Sequence, residues 1–520
     1  MNKNKLSILV VAVFIIWNLF SVLSIAEPDA TQPITEEPVQ ETEQSAEEET
    51  AEEEIDYGDY FQAVLEMLKE KYPGEIDDEV LLENVLKAMF NSVDDYTEFY
   101  DQETLEEFYV AIGGKYEGIG AVLILLDKYV TVSDVFQDSP AELSGIIDGD
   151  RIVSVDGVDI VGYTAEEAAQ LIRGEEGTSV VLGILRGDDE NIREIEVVRG
   201  KVKINPVKYR IMNSAAYIKI ESFNSNTAEY FRKAIEEIDS QGLDKIILDL
   251  RNNPGGELNQ AVAIANYFVP NNSLITKVDF ASEDFKDQEF YSNLAERKYK
   301  VAVLVNGMSA SASEILTGAI QDSEGGVIIG TKTYGKAKVQ NMLPVLDPRG
   351  YESFKPATGI DTVDVYKLAK DFPILPFDEV ILGTGKITTG YYYTPNGTMI
   401  DEIGIMPDIE VPDPTIPNGI NIDDINALTK TDKPGLNNQN LDVFNAEKIL
   451  KAAGYDIATP DLLLDEKTFW AIGKFQAEEG LFPYGVLDFA TQDALNDKLN
   501  SLRMEVDLQY KKAAEILSYW

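Results

Sequence analysis

Hydrophobic positions change their period several times along the chain, and each change marks a new element. Lys3 and Lys5 precede a long apolar run over residues 6–26, about the length that crosses a bilayer. Residues 27–56 are rich in Glu, Thr, Gln, Pro and Ala, with no lysine or arginine and few large apolar groups. Such a stretch cannot bury enough surface to fold, and its like charges repel, so it reads as an extended stalk. Over 57–113 the apolar residues return at helical spacing, as in Phe61, Val64, Leu65 and Leu68, then Val80, Leu81, Val85 and Leu86. Pro73-Gly74 punctuates them, and two or three helices are expected. Further on the periods alternate. Tyr217-Ile218-Lys219-Ile220 is a strand leading to a helix over 228–238, and Ile246 to Leu250 is a buried strand ending in the turn Asn252-Asn253-Pro254-Gly255-Gly256. Val301, Val303, Leu304 and Val305 form a third strand, which Asn306-Gly307 breaks before a helix opens on Ser309, Ser311 and Ser313. Strands alternating with helices imply an α/β core.

Composition narrows the chemistry. At 520 residues the chain is several domains, and 44% hydrophobic residues is the share of an ordinary globular protein. Lysine and arginine number 44 against 92 acids, a net charge of −48. That balance excludes nucleic acid as a partner, since phosphate binding needs basic patches, and argues against electrostatic docking to anionic lipid. There is no cysteine and no histidine. Disulfides, a Ser-His-Asp triad and a cysteine nucleophile are thereby excluded, and the usual ligands of structural zinc are missing. No metal and no organic cofactor is expected.

Serines at a helix start are ordinarily N-caps. The same place collects orphan N–H groups and the positive end of the helix dipole, so it also suits an anionic intermediate. An activated serine in a histidine-free chain needs a lysine base. The residues alone leave Ser309, Ser311 and Ser313 open as nucleophile, and Lys332, Lys336 and Lys338 open as base.

The run from Asn306 to Glu314, with Tyr334 to Gln340, resembles the catalytic core of the carboxyl-terminal processing (tail-specific) serine peptidases. The resemblance implies that Ser311, the middle serine of the S-A-S-A-S run, is the nucleophile. It implies that Lys336, twenty-five positions on, is the base of a Ser-Lys dyad, and that Gln340 orients it. The family's oxyanion hole maps to the Ala312 N–H and to Gly255 or Gly256. Residues 114–200 resemble a PDZ domain, in which Gly118, Ile119 and Gly120 would form the carboxylate-binding loop that holds a peptide's C-terminus while the peptide adds as a strand. The block Asp94 to Tyr100 also resembles the family, where such a segment often helps assemble dimers; a homodimer is therefore among the expectations.

The resemblance sets the remaining divisions: an N-terminal helical segment (57–113), a mixed α/β peptidase core (201–412), a linker (413–440), a peptidoglycan-binding-like three-helix domain (441–502) and a C-terminal helix (503–520). The whole is a multidomain α/β chain. An insertion between Leu343 and Ile387 departs from the family and reads as a surface loop. Residues 1–26 are an export signal or a membrane anchor that leaves the rest of the chain outside; Ser24-Ile25-Ala26 resembles a cleavage site, and the reading taken is an uncleaved anchor. The expected function is that of a serine endopeptidase acting outside the cytoplasmic membrane on proteins presented by their C-terminal tails, with peptidoglycan as a further partner. The rival is a non-catalytic PDZ and cell-wall-binding scaffold. Because a linker separates it from the core, the C-terminal domain is expected to be dispensable for peptide cleavage.

Overall fold

The computed structural model describes residues 57–520 apart from 127, 188, 190, 213–214, 297 and 374–376. The expected anchor (1–26) and stalk (27–56) lie outside the described residues. The chain divides into two compact units, one ending at Ala88 and one spanning Met89–Trp520. The helical period of the first segment produces α1 (Tyr57–Lys71) and α2 (Asp78–Asn91), and neither buries a side chain.

In the larger unit, β1 (Glu98–Tyr100) leads to α3 (Gln102–Gly113), whose first turn is capped by Asp101 accepting from the Thr104 N–H at 2.8 Å. The following strands are β2 (Lys115–Gly118), β3 (Ala121–Leu126), β4 (Tyr129–Val135), β5 (Arg151–Val155), β6 (Val158–Asp159), β7 (Ser179–Leu185), β8 (Arg193–Val198) and β9 (Gly200–Lys203), with helices α4 (Pro140–Leu143) and α5 (Ala165–Ile172) between them. Sheet order is β3-β4-β5-β7-β8, and Val132, Ile152, Ile160, Leu182 and Ile184 fill its core. This is the stretch expected as a PDZ domain.

The α/β core comprises β10 (Val207–Met212), β11 (Ala215–Ile220), α6 (Thr227–Ser240), β12 (Lys245–Asp249), α7 (Leu258–Ala265), β13 (Leu274–Phe280), β14 (Gln288–Tyr291), β15 (Lys300–Val305), α8 (Ala312–Asp322), β16 (Gly326–Gly330), β17 (Lys338–Leu346), α9 (Pro348–Thr358), α10 (Val365–Asp371), β18 (Ile381–Tyr393) and β19 (Ile409–Glu410). The central sheet runs β10-β11-β12-β15-β16-β19 and is parallel except for β10. Parallel sheets must be covered on both faces. Alternate side chains meet the demand: Ile246, Leu248, Val301 and Val303 pack with Phe231, Ile264 and Leu316, while Ile247, Ala302 and Leu304 form a separate cluster on the other face. A second sheet, β1-β18-β13-β14 with β17 on β18, flanks the first. The insertion is folded: α9 and α10 enclose Leu346, Phe354, Val365, Leu368 and Phe377.

The C-terminal region has four helices, α11 (Leu441–Ala452), α12 (Glu466–Glu478), α13 (Phe489–Val506) and α14 (Leu508–Tyr519). The first three share one core, to which Ile420, Ile422, Ile425 and Leu428 contribute. Part of the stretch expected as a linker is thus packed, its isoleucines having been spaced out among proline and asparagine. The tail expected as one helix is broken at Asp507, which ends α13 and caps α14. Helix α14 covers the second face of the central sheet, with Tyr510, Ala513 and Leu517 against Tyr217, Ile247 and Leu304. This corrects the expectation that the C-terminal region is separate from the core.

Candidate active site

The two sequence motifs meet at the carboxyl ends of adjacent parallel strands, where open α/β sheets place their sites. Strand β15 ends at Val305, and the chain turns through Asn306 to Ser311 before α8 begins. Ser311 has φ 56° and ψ −116°, a backbone region that costs a non-glycine residue about 1–3 kcal/mol and persists only where its surroundings enforce it. The enforcement is visible. The Ser311 N–H donates to Glu314 Oε2 at 2.9 Å, and the Ser311 carbonyl accepts from the Glu314 N–H at 2.8 Å. Ser311 and Glu314 stand in capping-box relation at the start of α8, with the Ser311 N–H held by the Glu314 carboxylate.

Glu314 is fully buried and organises the second motif as well. Its carboxylate accepts from Thr333 Oγ1 (2.6 Å), the Gly335 N–H (2.7 Å) and the Lys336 N–H (2.9 Å). Burial pushes its pKa up, and these donors with the Ser311 N–H hold it back. The Tyr392 hydroxyl completes the clamp, lying within reach of the carbonyls of both Ser311 (3.1 Å) and Lys336.

The Lys336 side chain is half-buried, with Nζ 4.3 Å from the centroid of the Tyr96 ring. Among the described residues no hydrogen bond joins it to Ser311 or Gln340; the Gln340 amide donates to Thr388 Oγ1 at 3.3 Å. Burial lowers the lysine's pKa, and Lys386 adds to the effect, against Glu98, Asp94 and Asp401. Tyr96 itself is set by Asp94, whose Oδ1 accepts from the N–H groups of Tyr96 (2.8 Å) and Thr97 (2.7 Å).

The glycine turn after β12 closes the site. Gly255 (φ 101°) lies so close that a Cβ on it would stand 2.8 Å from Ser311 Cβ and 2.9 Å from the Ala312 N. Its own N–H is occupied by Asn253 Oδ1 at 2.9 Å. The N–H groups of Gly256 and Ala312 have no partner among the described residues, which leaves these two free to receive a developing oxyanion. The turn is tied to the segment that carries Ser311 by Ala310 N–H to the Asn253 carbonyl (3.0 Å) and Ser313 Oγ to the same carbonyl (2.9 Å).

The expected peptide loop begins at the end of β2. Gly118, Ile119 and Gly120 are buried, and the Ile119 carbonyl accepts from the Ala141 N–H at 2.7 Å. Sequence reasoning missed Glu314, Tyr392 and Tyr96. The first had a signal: Ser311-x-x-Glu314 is the spacing of a capping box, whose acid reaches back to the first N–H. Tyr96 stood within the Asp94–Tyr100 block, with nothing to show that its ring meets the lysine.

A strained serine on a strand-to-helix turn has the geometry of the nucleophile elbow of α/β-hydrolases, where the turn exposes the serine oxygen beside backbone N–H donors. Known proteins carry the identification further. The model of peptidase family S41 matches residues 214–411, that of a PDZ domain residues 131–186, and that of a peptidoglycan binding domain residues 439–495. A "Probable CtpA-like serine protease" of Staphylococcus haemolyticus is 31% identical over 440 residues, 84% of this chain and 78% of its own. The carboxy-terminal processing protease CtpA of Bacillus subtilis is 30% identical over 465 residues, 88% of this chain and 90% of its own. The solved photosystem II D1 C-terminal processing protease is 25% identical, covering 68% of this chain and 87% of its own, with a TM-score of 0.36. The chain belongs to the carboxy-terminal processing proteases of peptidase family S41.

Proposed function

We propose that this serine-type peptidase is an endopeptidase that works with Ser311 as nucleophile and neutral Lys336 as general base. The observation that supports it most is the clamp by which one buried carboxylate, Glu314, holds the backbones of both residues. For proton transfer the Lys336 amine leaves the face of Tyr96 and turns toward Ser311 Oγ, with Gln340, in the strand that follows it, to receive and orient it. The serine oxygen then attacks the peptide carbonyl, and the N–H groups of Ala312 and Gly256 hold the oxyanion. The lysine passes its proton to the leaving amine, and water releases the acyl group with the lysine again as base. A lysine pKa lowered by burial favours the neutral amine this scheme requires.

Around this centre we assign residues 114–200 to capture of substrate C-termini through Gly118, Ile119 and Gly120, and residues 441–502 to peptidoglycan. Residues 1–26 would tether the enzyme so that it acts outside the cytoplasmic membrane, and residues 57–113 would serve a homodimer. The division at 201–412 for the peptidase belongs to the same proposal. A fluorophosphonate probe should label the wild-type protein and leave Ser311→Ala unlabelled; labelling of that variant would remove Ser311 as nucleophile. Peptides with a free apolar C-terminus should bind better than the same peptides amidated, and equal binding would contradict carboxylate capture. Retention on purified peptidoglycan tests the wall-binding assignment.

A further inference from the structure

The turn that supplies Gly256 begins at a buried arginine whose partners come from the far end of the chain. Arg251 is 4% exposed. Its Nε and Nη2 contact the Asp249 carboxylate at 2.6–3.1 Å, and Asp249 also accepts from the Tyr217 hydroxyl at 2.6 Å. On the other side Nη2 lies 2.8 Å from Asp507 Oδ2, and Nη1 lies 3.4 Å from Gln509 Oε1. Asp507 is the joint between α13 and α14, and its other oxygen caps α14 through the Tyr510 N–H at 2.8 Å.

The backbone on both sides of Arg251 is bonded to the segment that carries Ser311. The Leu250 carbonyl accepts from Ser309 Oγ at 2.8 Å, and the Asn252 N–H donates to Asn306 Oδ1 at 3.0 Å. Asn252 has φ 62°, so the chain reverses directly after the arginine. A side chain with a planar fork, held between two carboxylates, fixes the backbone that carries it far better than a single contact would. Displacements well under the length of a bond matter here, because donors must meet the oxyanion at hydrogen-bond distance.

We propose that Asp507 is a positioning residue of the peptidase: acting through Arg251, it sets the turn that presents the Gly256 N–H beside Ser311. The C-terminal helix pair is thereby part of the apparatus that stabilises the oxyanion. The inference rests on the reading of Ser311 as nucleophile, and the test separates the two. In the full-length protein, Asp507→Ser keeps an N-cap for α14, since serine caps about as well as aspartate, but is too short to reach Arg251. Asp507→Asn keeps the cap, the size and a neutral acceptor. Steady-state hydrolysis of a small uncharged ester should show kcat falling in the order wild type, Asn, Ser, with KM unchanged and the Ser variant lower by about tenfold to a hundredfold. A wild-type kcat in Asp507→Ser, or a loss that only follows its unfolded fraction by circular dichroism, overturns the proposal. Should the Ser variant not fold, the Asn variant decides: a wild-type kcat there overturns it equally. Ser311→Ala must abolish turnover in the same assay; turnover persisting in that variant refutes the nucleophile and leaves the Asp507 result to be read by itself.

Discussion

The backbone N–H groups of Ser311 and Lys336 end on one oxygen, Glu314 Oε2, each at 2.9 Å. Two segments twenty-five positions apart in the chain are thus held together by one buried acid. The other oxygen of that acid takes Thr333 Oγ1 and the Gly335 N–H. Every partner is a donor, so the site calls for an acceptor-only group, and the ionised carboxylate is one.

Glu314→Gln should therefore be far more damaging than its size suggests. The amide turns one acceptor into a donor, facing N–H groups in a fully buried site. Leaving such a group unsatisfied costs about 1–3 kcal/mol, and the strained φ of Ser311 loses its restraint. We expect a lower unfolding temperature and a loss of fluorophosphonate labelling beyond the fraction unfolded. Labelling at the wild-type rate would mean that the clamp does not position the nucleophile.

Acylation should rise with pH along a single limb. A lysine accepts a proton only when neutral, and its unperturbed pKa is about 10.4. Burial, with Lys386 adding to it, lowers the Lys336 value, so the midpoint should fall below that figure. A limb near the histidine value of about 6.5 has no histidine to produce it. A small uncharged probe avoids the titration of substrate and peptide-binding carboxylates. Tyr96→Leu removes a π face that favours the ammonium, at 4.3 Å, while keeping an apolar wall; the limb should move to lower pH. Lys336→Arg should be nearly inactive, because guanidinium does not give up its proton in proteins. Acylation by that variant near the wild-type rate would refute the dyad.

Much of this arrangement was legible in the sequence, and the rest was hidden for physical reasons. The apolar runs at 246–250 and 301–305 announced buried strands, and the turns after them announced the site. Spacing alone did not choose among three serines and three lysines; the family resemblance did. Glu314 was readable from capping-box spacing, but only the fold shows its carboxylate reaching across to Lys336. Tyr96 and Tyr392 come from distant segments, and no local period reports such a contact. The insertion read as a loop because its apolar residues, Phe354, Val365 and Leu368, are spread over two short helices.

Truncation near residue 415 should unfold the peptidase core, against what the proline- and asparagine-rich stretch beyond it suggests. Such a chain lacks α14, and with it the cover over Tyr217, Ile247, Ala302, Leu304 and Ile329. Each large aliphatic side chain re-exposed costs about 1.5–3 kcal/mol, and a domain's whole stability is about 5–15 kcal/mol. Arg251 would also lose Asp507. Expression of residues 57–415 should give aggregated or molten protein by circular dichroism. A folded, active product would show that the sheet tolerates an open face.

The three-helix region should grow less stable as pH rises from about 4.3 toward neutrality, because of Glu447. This side chain is 3% exposed, with Thr468 Oγ1 on one oxygen and the Asp461 N–H on the other at 2.7 Å. Burial pushes its pKa up to about 7, against about 4.3 for an unfolded glutamate. The folded state holds the proton over that interval and the unfolded state does not. The stabilisation is complete below about pH 4.3 and is lost as pH climbs to about 7, a change on the order of 3–4 kcal/mol. Other acids titrate in the same range, so the informative quantity is the difference between Glu447→Gln and wild type, which carries only this group. A glutamine stays neutral and keeps an acceptor for the Asp461 N–H, while the Thr468 hydroxyl can turn to accept from its amide. Chemical unfolding of the full-length protein at pH 5 and pH 8 should show the variant gaining on wild type at the higher pH. An unchanged difference would mean that Glu447 ionises in the folded state as readily as in the unfolded one.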